Sequence, residues 1–328
     1  QQVAAAVGAH PTEVVFASGG SEANNLFIKG AAACLKPGTV AVSAIEHPCV
    51  REPANDLKRL GWSVHEIAVD AEGRVAETDF SAALAKKPGL VSVMLANNET
   101  GVIFPLSQVA ALTRARGALL HVDAVQAPGK MDPGSIDADM VSLSSHKIGG
   151  SKGMGALWVR RGTPLTSLLH GGAQERRRRA GTIHVAGVAS FQAAAEALEK
   201  RDLAATRSLR DWLEAEVRAR IPGAVVQGAS QPRIANTSNF LFDGVRGEAL
   251  LMGLDVAGFA VSSGSACNSG SILPSHVLLA MGFSREAASS AVRVSLGPSN
   301  TREELAAFVS ALEELVDRIR ARRNPANP

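Results

Sequence analysis

Lys147 closes the run Ser144-Ser-His-Lys147 directly after an apolar stretch, residues 140–143, and is followed by Gly149-Gly-Ser-Lys-Gly-Met-Gly155. At a strand end of this kind a buried amine with a lowered pKa can form a Schiff base with a carbonyl. Taken alone, a solvated lysine in a glycine loop explains it as well. Upstream, the segment His121-Val-Asp-Ala-Val-Gln126 places Asp123 at another strand end. A carboxylate there can keep a ring nitrogen protonated and make the ring an electron sink, or it can cap a helix. Gly19-Gly-Ser21 lies between a strand and a helix. Amides at a helix N-terminus plus a hydroxyl suit a phosphate, while a capping turn with Glu22 is equally available. His47, before Pro48, can stack on a planar ring and shuttle protons near neutral pH, or serve as a cap or core residue. Asn97-Asn-Glu-Thr-Gly101 reads equally as a turn.

Cys267 lies in Ser262-Ser-Gly-Ser-Ala-Cys-Asn-Ser-Gly-Ser271. So many small residues pack a buried cysteine poorly, so a mobile nucleophile is expected, with an incidental exposed thiol as the alternative. Arg293 can clamp a carboxylate bidentately or form a surface ion pair. Singly, each residue has a structural explanation. Jointly, a lysine, an upstream carboxylate, a phosphate turn and a stacking histidine at successive strand ends are the parts of a pyridoxal 5'-phosphate site.

The elements that must hold these groups alternate. Residues 13–17, 39–43, 63–69, 90–96, 118–122 and 140–143 read as strands, and residues 21–35, 47–60, 78–87 and 105–116 as helices, the second disturbed by Pro53. Near-continuous apolar strands alternating with helices predict a mainly parallel sheet covered on both faces, with ligand groups on loops after strand C-termini. From about Val185 two long Ala/Glu/Arg-rich helices are expected, ending near residues 221–223. A strand at 237–242, a helix at 246–254, the Gly/Ser-rich loop, a strand at 292–296 and a C-terminal helix follow. A domain boundary is placed near residue 206, giving domains of residues 1–205 and 206–328.

At 328 residues, 46% hydrophobic and 20% charged, the composition suits a folded globular protein. A net charge of +3 implies no broad nucleic-acid or membrane footprint. The run Arg176–Arg179 is local enough to serve one anionic ligand, and no apolar stretch has the length to span a bilayer. Cys34, Cys49 and Cys267 are few and far apart, against a disulfide framework or a zinc site, so no metal is expected and a reducing, cytoplasmic setting is. The chain opens at Gln1 and runs almost directly into a strand, so its natural beginning is expected to lie upstream.

With these residues in place the sequence resembles the cysteine desulfurases of the NifS/IscS group, within the class V aminotransferases of fold type I. The matching stretches are Ser18-Gly-Gly-Ser-Glu22, Glu46-His-Pro48, Asn97-Asn-Glu-Thr-Gly101, His121-Val-Asp-Ala-Val-Gln126 and Ser144-Ser-His-Lys147. They continue in Gly171-Gly-Ala-Gln-Glu-Arg176, Arg179-Ala-Gly-Thr182, Ser262-Ser-Gly-Ser-Ala-Cys267, Pro274-Ser-His-Val277 and Arg293-Val-Ser-Leu-Gly297. The resemblance implies a seven-stranded, mainly parallel sheet in a large domain and a smaller α+β domain. It implies Lys147 as the covalent anchor of pyridoxal phosphate and as the group that moves protons. Asp123 then pairs with the ring nitrogen, Gln126 with the ring oxygen, and His47 stacks on the ring with Asn98 nearby. Gly20, Ser21, Ser144 and His146 hold the phosphate, and Thr182 reaches the phosphate of a second subunit in a homodimer. Arg293, with Asn98, binds the carboxylate of L-cysteine, and Cys267 takes its sulfur as a persulfide. A loop of this length resembles the group that donates to iron–sulfur scaffold proteins and tRNA-thiolation acceptors.

Four departures stand out. Ser21 replaces a usual threonine and keeps the hydroxyl. Ser151 replaces a usual proline, which is expected to loosen the loop after Lys147. His184 replaces a common asparagine. The family's Asn-Asn-Ala-Thr-Thr-like amino-terminal segment is not in this sequence, which bears on its activity. The competing functions are a selenocysteine lyase, an aminotransferase with no need of Cys267, and a non-catalytic scaffold.

Overall fold

A computed structural model of the chain describes residues 1–132, 136–263 and 274–323. Two compact units emerge. The first holds Gln1–Ala68, Val75–Ala96 and Phe104–Arg201; the second holds Val69–Arg74, Asn97–Ile103 and the chain from Asp202 onward. This division is not the single cut expected near residue 206. Arg201 still bonds into the first unit, donating to the carbonyls of Ile148 (2.7 Å) and Gly129 (3.4 Å). Asp202 begins the next helix by accepting from the Ala205 N–H. The two early segments leave the first unit because their backbones bond to later residues: Ile103 N–H to Pro232 O and Ile234 N–H to Gly101 O, each 2.9 Å.

The first unit is built on strands β1 (Val14–Ala17), β2 (Thr39–Ser43), β3 (Ser63–Ile67), β4 (Leu90–Met94), β5 (Leu119–Asp123), β6 (Met140–Ser144) and β7 (Gly155–Val159). Their order is β1-β7-β6-β5-β4-β2-β3. Strands β2 to β6 run parallel, while β7 is antiparallel to both β1 and β6. The reading of the sequence passed over β7, since Gly-Ala-Leu-Trp-Val follows straight on a glycine-rich run. Packing decides it: all five residues are buried. Edge strand β3 carries His65 and Glu66 and is largely half-exposed, which blunts pairing with another chain. The helix expected over residues 47–60 is Pro48–Asp56 followed by a tighter turn, Leu57–Leu60, that begins four residues beyond Pro53.

Leu26, Phe27, Val40, Val42, Leu90, Met140 and Leu157 form the core on one face of this sheet. A polar row crosses the sheet: His121 Nδ1 lies 2.8 Å from Ser92 Oγ and its Nε2 2.8 Å from Ser142 Oγ. Phe27 stacks on the imidazole at 4.5 Å. Burial pushes this histidine down to about 3, so the row stays neutral at physiological pH.

In the second unit β8 (Ala224–Val226), β9 (Thr237–Phe242) and β10 (Val292–Ser295) form an antiparallel sheet in the order β10-β9-β8. Helices Leu203–Arg220, Gly247–Val256 and Arg302–Arg323 supply Leu213, Val217, Leu250, Val309 and Leu312 to a core with Phe240 and Phe242. Buried Glu214 accepts from both Nη atoms of Arg233 (2.7 and 2.8 Å), so that charge is paired where water is excluded. No helix among the described residues is long and apolar enough to cross a membrane.

Candidate active site

In the first unit the chemistry-bearing residues stand at the C-terminal ends of neighbouring strands. Asp123 ends β5 and is buried, 7% exposed. No helix follows it. Its Oδ1 accepts from the Val125 N–H at 3.0 Å, closing a tight turn, and its Oδ2 accepts from Asn24 Nδ2 at 2.8 Å. Burial raises the Asp123 carboxyl; the two donors, the Lys147 charge and, when its ring is protonated, His47 act against that rise. Both groups therefore lie within electrostatic reach of the carboxylate.

Lys147 lies in the turn Ser145–Ile148 that leaves β6, and its side chain is exposed. The turn points it outward because Ser145 and Ile148 take the inward positions. Ser144, buried at the end of β6, has its Oγ 3.0 Å from His146 Nδ1. His146 is pushed down by burial and by the charges of Lys147, Lys152 and Lys130. Gln126 accepts from Lys130 Nζ through Oε1, which turns its amide nitrogen into the end able to donate.

Gly19 and Gly20 open the helix Gly20–Ala32 with no side-chain cap. Glu22 accepts instead from the Ser18 N–H (2.7 Å) and pairs with Arg179 (2.9 Å). The helix N-terminus keeps its backbone amides for an anion, with the Ser21 hydroxyl beside them. Glycine is required for space: a Cβ on Gly20 would lie 3.0 Å from Val125 Cγ2, and one on Gly155 would lie 2.4 Å from Gly19 C. The turn is therefore pressed between β7 and the residues after Asp123. An anionic head at this turn, a ring nitrogen at Asp123 and an aldehyde at Lys147 match the donor set, so the residues present fit pyridoxal phosphate.

His47 caps the helix Pro48–Asp56, accepting the Cys49 N–H at Nδ1 (3.2 Å), and is half-buried. Burial, aided by Lys147, lowers its pKa against the pull of Asp123. Two neighbours went unassigned in the sequence: Asn24, fully buried, and Cys49. Sγ of Cys49 lies 2.8 Å from His47 Nδ1 and accepts from Asn24 Nδ2 at 3.0 Å. A polar residue on the inward face of Ala23–Phe27, one turn from Gly19 and Gly20, was the available signal. Thr182 is exposed, in a run 181–186 that also exposes Ile183 and Val185, and Leu169 is exposed nearby in sequence. Ser151 is tied down: its N–H and Oγ both reach Ser190 Oγ, at 2.9 and 2.8 Å, so the loop after Lys147 is pinned where loosening was expected.

The second unit brings together Asn98 and Arg293. Arg293, on β10, donates from Nη1 to Asn98 O at 3.0 Å. The 97–101 stretch is a turn, with Asn97 Oδ1 accepting from the Glu99 and Thr100 N–H groups (2.9 Å each) and Gly101 at φ +79°. Glu99 is buried, accepts from Ser275 Oγ, and is pushed up to about 7, mainly by burial. Cys267 lies outside the described residues.

The aminotransferase class-V family pattern matches residues 1–308. A cysteine desulfurase of Klebsiella pneumoniae is 42% identical over 98% of this chain and 82% of its own length. A cysteine desulfurase of Cereibacter sphaeroides is 44% identical over 94% of this chain and 81% of its own. A solved NifS-like protein superposes with a TM-score of 0.85 at 33% identity, covering 96% of this chain and 86% of that one. With the sheet order, the strand-end residues and these likenesses in agreement, the chain belongs to the class V aminotransferase family.

Proposed function

We propose that this chain is a pyridoxal-phosphate-dependent cysteine desulfurase, converting L-cysteine to L-alanine with transfer of sulfur to Cys267. The observation that carries the reading is the gathering of Asp123, His47 and Lys147 beside an uncapped glycine turn in one unit. The cysteine desulfurases among its relatives support it. In this reading Gly20, Ser21, Ser144 and His146 hold the phosphate, Asp123 the ring nitrogen and Gln126 the ring oxygen. When bound, the cofactor supplies an electron-withdrawing ring that weakens the substrate's Cα–H and Cβ–S bonds. Lys147 anchors the cofactor and carries the proton between Nζ and the substrate's Cα. Arg293 orients the substrate carboxylate through its planar fork. The Cys267 thiolate attacks the substrate sulfur: an S–S bond forms, the Cβ–S bond breaks, and the released electron pair is taken up with a proton at carbon. L-Cysteine and the Cys267 thiol thus give L-alanine and a Cys267 persulfide, balanced in atoms and electrons.

Further parts of the reading extend to the assembly. The first unit serves as the large cofactor-binding domain and the second as the small domain carrying Cys267. Thr182 serves a second copy of the chain in a homodimer, and the exposed apolar Leu169, Ile183 and Val185 around it favour such a contact. The persulfide passes to an iron–sulfur scaffold or a tRNA-thiolation protein, in the cytoplasm and without direct contact with nucleic acid. The test is to incubate the protein with L-cysteine and measure alanine and alkylation-trapped persulfide together. The wild type should yield both. Cys267→Ser should keep the absorbance of lysine-bound cofactor and yield neither. Alanine release by Cys267→Ser at the wild-type rate would refute sulfur transfer to Cys267.

A further inference from the structure

The hydrogens around His47 can be assigned one at a time. The Cys49 backbone N–H meets His47 Nδ1 at 3.2 Å, and an N–H can only donate. Nδ1 is therefore the accepting nitrogen, and the neutral ring carries its hydrogen on Nε2. Cys49 Sγ lies 2.8 Å from the same nitrogen, so there the thiol must be the donor. Sγ accepts in turn from one hydrogen of Asn24 Nδ2 at 3.0 Å, and Asp123 Oδ2 accepts at 2.8 Å from the same amide nitrogen. Turning the amide over would set its oxygen against the carboxylate. Both amide hydrogens and the thiol hydrogen are thus committed, each in one direction.

We infer that Asn24 and Cys49 are positioning residues for the proposed reaction, joining Asp123 to His47 in a directed hydrogen-bond chain that keeps His47 neutral with its hydrogen on Nε2. This rests on the desulfurase reading only in saying what His47 is for. His47 then works as a donor from Nε2, and Nδ1 is closed to proton abstraction. Thiol chemistry agrees with the direction: burial, with the charge of Asp123, pushes Cys49 up to about 12, although the bond from Asn24 acts the other way. A thiolate could not donate to Nδ1, and this thiol keeps its hydrogen at every working pH. Asp123, Lys147 and Cys49 itself are among the groups that act on His47, with Glu46 acting on the thiol.

The thiol hydrogen competes with a proton for Nδ1, so its removal must make His47 easier to protonate. The experiment follows the ring nitrogen signals of histidine-labelled protein prepared without cofactor, His47 being assigned by its loss in His47→Gln. In Cys49→Ala, His47 should titrate at higher pH and gain the Nδ1–H form. Cys49→Ser, whose hydroxyl can both accept and donate, should restore the wild-type titration. In loaded enzyme, Cys49→Ala should lower kcat about fivefold, the size of one ordinary hydrogen bond, with KM for L-cysteine within about twofold. Its acid limb should move to higher pH, and Cys49→Ser should recover both. An unchanged His47 titration in Cys49→Ala overturns the chain, whatever the activity. Because that readout needs neither cofactor nor substrate, it stands apart from any failure of the desulfurase reading, which would show as absent alanine in the wild type.

Discussion

His121 provides a quantitative test of how the sheet holds Asp123. It lies two residues before Asp123 on β5, fully buried, between Ser92 and Ser142 and under Phe27. Burial lowers it from the ordinary 6.5 to about 3. The unfolded chain therefore takes up a proton below the ordinary value, while the native chain resists until about 3. Stability from this residue is complete above the unfolded pKa and is lost as pH falls through the window between the two values. The slope within that window is about 1.4 kcal/mol per pH unit. Between about pH 7 and about pH 5 the integrated loss is about 2 kcal/mol for this one group. His121→Gln keeps polar atoms in the row and cannot titrate. The assay is denaturant unfolding at both pH values in a Trp212→Phe background, where fluorescence reports Trp62 and Trp158, both buried in the first unit. Other titrating groups cancel in the comparison of the two proteins. The wild type should lose about 2 kcal/mol more than the variant on acidification. Equal losses in both would refute the claim that His121 is held neutral by burial.

Two further outcomes concern the reacting groups. Lys147→Ala should abolish the borohydride-reducible cofactor adduct and lower alanine formation by at least about a hundredfold, with unfolding little changed because the side chain is exposed. Asp123→Asn should retain cofactor by absorbance yet lose about a hundredfold in kcat, since a neutral amide cannot hold the ring nitrogen protonated; near-normal turnover would remove Asp123 from that role.

Legibility in the sequence followed the physics of each element. Parallel strands such as Leu90–Met94 and Met140–Ser144 are buried on both faces, so their apolar runs announce them. Strand β7 does not announce itself, because its burial depends on pairing between β1 and β6, a contact over more than a hundred residues that no local pattern carries. The placement of Asp123, Lys147 and the Gly20–Ser21 turn was readable because strand ends and helix starts are local features. Asn24 and Cys49 were not. Their arrangement arises only when a helix after β1 sets Asn24 against Asp123 on β5 and a helix after β2 sets Cys49 against Asn24. The end of the first unit is not legible locally for a related reason: Asp202 starts a helix continuous in composition with its predecessor, while Arg201's bonds to Ile148 and Gly129 belong to the first unit.

The second unit ties the proposed carboxylate ligand to the reach of the proposed catalytic cysteine. Ser262, before the segment bearing Cys267, bonds to the Arg293 backbone in both directions, at 3.1 and 2.7 Å. Ser275, after it, donates to Glu99 and caps the helix His276–Ala280 by accepting the Leu278 N–H at 3.2 Å. Arg293 in turn donates to Asn98 O. Both roots are thus fastened to residues 98–99 and 293, the region assigned to the substrate carboxylate. Cys267 follows Ser262 by five residues in the sequence, so its Cα can lie no more than about 17 Å from that root at full extension. The root after it, eight residues away, allows about 27 Å and sets no tighter limit. The radius open to the proposed sulfur acceptor, Cys267, is therefore bounded from the backbone of Arg293. On the proposed reading, an arginine that holds the substrate with its side chain and the loop root with its main chain would keep donor and acceptor of sulfur in one frame.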